Sequence, residues 1–68
     1  LRLVILNAGQ RQGLTPGLAF TVLRGERPVA RIRVIDVRRT LAGAAIERTE
    51  WGVYPAKGDR VLMDNRRE

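Results

Sequence analysis

Arginine supplies most of the chemistry this chain could do. Twelve of its thirteen basic residues are Arg, against seven acidic residues, for a net charge of +6. Arg24, Arg27, Arg31, Arg33, Arg38 and Arg39 fall close together in the chain. A guanidinium presents a rigid fork of donors that fits phosphate and carboxylate. These six residues are therefore the candidate surface for an anion or a nucleic acid, since a curved basic sheet can follow a phosphate backbone. Stacking platforms also need exposed aromatic rings, and the chain has only Phe20, Trp51 and Tyr54, with Phe20 expected in the core. A GC-rich genome produces the same Arg-over-Lys bias, and a solvated basic face is the simpler reading of these residues.

Catalysis has little to work with. The chain contains no His, Cys or Ser, so the usual pairs of nucleophile and base cannot be assembled. A metal would have to be held by carboxylates alone, which favours Mg or Ca over Zn. Asp36, Glu47, Glu50, Asp59 and Asp64 are scattered without ligand-like spacing. Asp59 follows Lys57-Gly58 and reads as a turn residue that bonds nearby backbone N–H groups. Gly9 to Gly17 lacks the Lys-Ser/Thr pair and the following helix of a phosphate loop. The expectation is a protein that is not an enzyme, with no cofactor, no metal and no small-molecule substrate.

The elements that would position these residues are organised around Asn7–Gly17. This stretch holds Gly9, Gly13, Pro16 and Gly17. Such punctuation suits a shaped loop between two strands, because Gly tolerates φ > 0 and Pro fixes φ. Pro16-Gly17 fits the centre of a type II turn, and Leu14 is expected to plug inward. The glycine spacing also matches a membrane-helix pairing motif, but Gln10, Arg11, Gln12 and Pro16 break any apolar span. No run approaches the ~20 apolar residues of a transmembrane helix, so no membrane insertion is expected.

Alternation predicts strands over Arg2–Leu6, Leu18–Leu23, Pro28–Arg39, Thr40–Arg48 and Arg60–Met63, with a hairpin at Arg24–Arg27. In the longest, Ala30, Ile32 and Val34 alternate with Arg31 and Arg33. The phase then flips to Ile35 and Val37. A period-2 strand cannot hold both sets on one face, so a bulge near Val34-Ile35 or a bend is required. Thr40–Arg48 is rich in Ala, which favours helix. Gly43 and the short run favour strand, with Ala42, Ala44 and Ile46 on one face. Thr49–Ala56 reads as a loop. Pro16–Val22 and Lys57–Met63 form a faint repeat, each with Gly before an alternating strand.

Several of these turns and strands resemble a known pattern. Asn7, Gly9, Gly13-Leu14, Pro16-Gly17, Phe20 and Val22, then Val29-Ala30, Ile32, Val34 and Val37, then Gly58-Asp59 and Val61, resemble the C-terminal domain of flagellar assembly protein T. They are also similar to the β-domains of rod-shape-determining protein C. Gly58-Asp59 resembles the GD box of cradle-loop barrels. The resemblance implies a small β-barrel acting as an assembly module of bacterial cell-envelope proteins, without enzyme activity. Such relatives carry a further strand before the one matching Arg2–Leu6. The resemblance therefore leaves open an edge here, or closure by strand exchange in a dimer.

Taken together, the sequence predicts an all-β, five- or six-stranded small barrel, cradle-loop or SH3-like, of two similar halves. Residues 1–64 form one domain and 65–68 a frayed tail. The chain starts on Leu1 inside an apolar run, which fits a piece of a longer protein. A 68-residue chain buries only about 60% of its unfolded surface, so its core is thin. The first functional reading is a non-catalytic interaction or assembly module of a larger bacterial protein, binding a protein partner or a second copy of itself. The alternatives are a basic barrel that binds RNA or single-stranded DNA, and a barrel excised or engineered to study the fold. With no Cys and no visible signal segment, both cytoplasm and periplasm remain open.

Overall fold

A computed structural model describes residues 2–50 and 52–63. Trp51, Asp64 and the expected tail at 65–68 lie outside the described residues. Five strands form one antiparallel sheet: β1 (Leu3–Leu6), β2 (Ala19–Arg24), β3 (Arg27–Val37), β4 (Ala42–Thr49) and β5 (Arg60–Met63). Their order is β1-β4-β3-β2-β5. The sheet curls strongly into an open half-barrel.

Of the two alternatives the sequence left, an open edge or closure by an exchanged strand, the single chain has the open edge. Strand direction gives the reason. Each neighbouring pair is antiparallel, so the two outer strands, β1 and β5, run the same way. They cannot meet as another antiparallel pair. The two strands of the faint repeat, β2 and β5, lie side by side. The glycines before them, Gly17 and Gly58, have φ of 98° and 96°, a left-handed conformation that side chains rarely adopt. Thr15 accepts a 3.4 Å bond from the Leu18 amide across Pro16-Gly17, as the expected turn requires.

The core comprises Leu14, Phe20, Val22, Val29, Ala30, Ile32, Val34, Ala42 and Ala44. Ile32 is 0% exposed. Burying it and Val34 stabilises the fold by roughly 1.5–3 kcal/mol each. Register explains how the phase flip in β3 is absorbed. Val34 pairs with Ala44 and Asp36 with Gly43, leaving Ile35 as the extra residue. The bulge returns Val37 to the core side opposite Ala42 and keeps Asp36 outside. Without it Asp36 would face the apolar centre. The Ala-rich segment is strand β4 from Ala42, two residues later than expected. Packing overrides helix propensity here: buried Ala42 and Ala44 let β4 fit between β1 and β3.

The organising loop is folded around a single 3-10 turn, Gln10–Gln12. Its amides at Gln10 and Arg11 donate to the carbonyls of Arg38 (2.8 Å) and Arg39 (3.0 Å). Leu14 plugs into the core as the sequence predicts. Gly9 packs directly on the turn after β3. A Cβ there would collide with the Arg38 carbonyl oxygen and lie 2.7 and 2.8 Å from the Leu41 backbone N and O.

Candidate functional site

The six arginines do not form one continuous stripe. Arg24 and Arg27 pair across the β2–β3 hairpin. Arg38 and Arg39 sit beyond the opposite end of β3. Arg31 and Arg33 lie between them on the convex face, with buried Ile32 pointing the other way. A second bulge, at Glu47 of β4, is visible in the register: Arg31 pairs with Arg48 and Ile32 with Ile46. Glu47 reaches both arginines. Arg33 Nε donates to Glu47 Oε2 at 2.6 Å, and Arg31 Nε lies 3.4 Å from Oε1. Arg33 also donates to the Gly17 carbonyl at 2.9 Å. The Arg33 hydrogen bond first, helped by the charges of Arg33 and Arg31, holds the Glu47 carboxyl below its ordinary value against the opposing effect of desolvation. Arg38 Nε donates to Asp36 Oδ2 at 3.0 Å, an exposed pair that contributes little.

Arg24 is used differently. Its Nε and Nη2 donate to the two oxygens of Asp59 at 3.0 and 2.9 Å, and Nη2 also reaches the Tyr54 carbonyl at 3.1 Å. The Asp59 side chain is only 8% exposed. It also accepts the Ala56 amide at 2.8 Å, the turn role expected from the sequence. The Arg24 hydrogen bond first, and the Ala56 amide second, hold its carboxyl below the ordinary aspartate value. The segment 53–59 is thereby tied to the hairpin. A second tie comes from Arg2, whose guanidinium carbon stands 4.5 Å from the centre of the Tyr54 ring. Neither tie is legible in the sequence, because both join residues far apart in the chain.

A cleft of about 730 Å³ lies on the inner face, between β1 and β5. Phe20, Val22 and Ile32 form its floor. Val4 and Leu6 line one side and Val61 the other, with Leu14 and Pro55–Asp59 completing the rim. A smaller hollow of about 390 Å³ lies beside Arg24, Arg27, Val29 and Glu50. The main cleft is apolar and flanked by two strands whose outer edges have no partner among the described residues. It can take up apolar side chains and, along its edges, backbone N–H and C=O groups. No group of three metal-ligating side chains occurs among the described residues.

The resemblance to flagellar assembly protein T and rod-shape-determining protein C reaches as far as a small curled antiparallel sheet. No protein-family model matches this chain, and searches of curated proteins and of solved structures return no match.

Proposed function

We propose that this chain is a non-catalytic interaction module, serving assembly within a larger bacterial protein, and that it works through the seam between β1 and β5. The observation that carries the reading is an apolar cleft flanked by two strand edges without partners. Such edges template pairing with another chain unless they are guarded. Leu3–Leu6 has no charge, proline or bulge to guard it. The resemblance of the turns to envelope assembly proteins is the reason to look first among bacterial partners.

Binding of RNA or single-stranded DNA is the second reading, favoured by the +6 charge. Four of the six candidate arginines, however, are engaged with carboxylates: Arg24, Arg31, Arg33 and Arg38. The two readings separate in one experiment. The immobilised 68-residue chain is exposed to bacterial extract beside an Ile5→Lys/Leu62→Lys variant, with and without nuclease. The first reading expects specific proteins retained by the parent, resistant to nuclease and lost in a variant with an unchanged circular dichroism spectrum. Retention abolished by nuclease, or equal retention by both chains, overturns it.

A further inference from the structure

We infer that the seam takes one extended segment of a second protein, running antiparallel to both β1 and β5, with an acidic C-terminal end. The inference rests on the interaction-module reading and names the partner's chemistry. Strand direction carries it first. β1 and β5 run the same way, so a single strand between them pairs antiparallel with both. A sheet of five antiparallel strands cannot close in this pattern, whereas six can.

Side-chain exposure is the second argument. Among the described residues, the three most exposed large apolar side chains are Ile5 (71%), Leu62 (60%) and Leu3 (56%). All three belong to the strands bordering the seam. Register places Leu3 and Ile5 opposite Ala45 and Gly43, and Leu62 opposite Thr21, away from the buried partners of those strands. They flank the seam on the convex face, while the cleft floor lies behind it. An inserted strand would place alternate side chains on the floor and the others between Ile5 and Leu62. One occupant thus covers both the cleft and the exposed residues.

Charge is the third. β1 and β5 begin at the same end of the seam, with Arg2 just before β1 and Lys57 just before β5, whereas Arg60 is turned to the hairpin, where it donates to the Gly25 carbonyl. Lys57 lines the cleft itself. An antiparallel occupant brings its C-terminal end to Arg2 and Lys57, so carboxylates there are favoured. A second copy of this chain would bring +6 against +6 and fits this rim poorly.

The test pans a library of random octapeptides, displayed with free C-termini, against the 68-residue chain at low salt. Enriched sequences should alternate apolar residues and end in Asp or Glu. A synthetic peptide of the enriched sequence should slow amide exchange in β1 and β5. Arg2→Glu/Lys57→Glu should weaken its binding roughly tenfold, whereas Arg2→Lys/Lys57→Arg should retain it. That second variant separates lost charge from lost folding. No enrichment, enrichment without alternation, or a homodimer that blocks the peptide overturns the inference. If proteins are still retained through the seam in the extract experiment while the library yields nothing, only the partner's chemistry is wrong. If both fail, the module reading falls with it.

Discussion

The loop spanning residues 7–17 and the segment spanning 53–59 both border the cleft, yet they are held by different means. The first is fixed by backbone. Gln10 and Arg11 donate to the carbonyls beyond β3, the Gly17 amide donates to the Val34 carbonyl, and Leu14 is buried beneath. The second depends on two side-chain ties, Arg24 to Asp59 and Arg2 to Tyr54. Backbone bonds under a buried plug are lost only when the sheet itself opens. Side-chain ties near the surface can be lost alone. One border of the cleft is therefore part of the fold's cooperative unit, and the other is an attachment that can be loosened while the sheet stays intact.

The strongest way to break this contrast is Gly9→Ala. Gly9 has φ −152°, an extended value any residue adopts, so the obstacle is space alone. The added methyl meets backbone atoms of Arg38 and Leu41, which cannot rotate away as a side chain end would. The loop must lift, and its bonds to Arg38 and Arg39 go with it. The expected loss is about 3 kcal/mol, measured by urea unfolding. A loss below about 0.5 kcal/mol, within the range of ordinary surface substitutions, would show that this loop is no more integral than the other.

Acid sharpens the contrast from the opposite side. The Asp59 carboxyl is held below its ordinary value. Its contribution to stability is therefore complete above the ordinary carboxylate range, about pH 4, and is lost as pH falls through the lower folded-state value. Glu47, shifted the same way by Arg33 and Arg31, adds to the same acid limb from the convex face. Asp59→Asn isolates the first contribution. At neutral pH the Ala56 amide should exchange faster in this variant than in the parent, while the Gln10 and Arg11 amides keep the parent's protection. The parent's Ala56 should approach the variant's behaviour only in acid. Equal exchange at Ala56 in both proteins at pH 7 would remove the tie from the account.

The two regions also differ in how readily the sequence disclosed them. The glycine-shaped corner at 7–17 is local, and turn chemistry alone predicts it. Leu14 between two turn signals is an inward plug for the same reason. The bulge at Ile35 is legible because alternation breaks within a few residues and only one extra residue repairs it. Strand β4 is less legible, since alanine favours helix until β1 and β3 are packed beside it. The Arg24–Asp59 fork spans 35 positions and depends on β5 lying next to β2, which no local pattern specifies. Glu47 clasps Arg31 and Arg33 only because of a bulge that its neighbours in sequence do not announce. For the same reason the sequence offers an arginine stripe, whereas the structure distributes those arginines among carboxylates. The open seam is legible only in part: the resemblance leaves an open edge beside Arg2–Leu6 as one alternative, but the parity of strand directions that produces it belongs to the whole sheet.

The smallest expected effect tests the weaker of the two ties. Arg2 precedes β1, and its carbonyl accepts the Ile46 amide at 2.9 Å, so its backbone already belongs to the sheet. Only its guanidinium, set over the Tyr54 ring, bridges β1 to the far border of the cleft. Arg2→Ala removes that bridge and leaves the strand pairing in place. An exposed cation–π contact contributes about 0.5 kcal/mol, so global unfolding should shift by no more than this. The local effect should be larger than the global one: tyrosine fluorescence should respond to the lost contact while the amides of β3 keep their protection. A drop of about 2 kcal/mol or more in global stability would exceed what an exposed cation–π contact supplies. It would mean that the seam is bridged as firmly as the loop at Gly9 is docked, and that the cleft has two fixed borders instead of one.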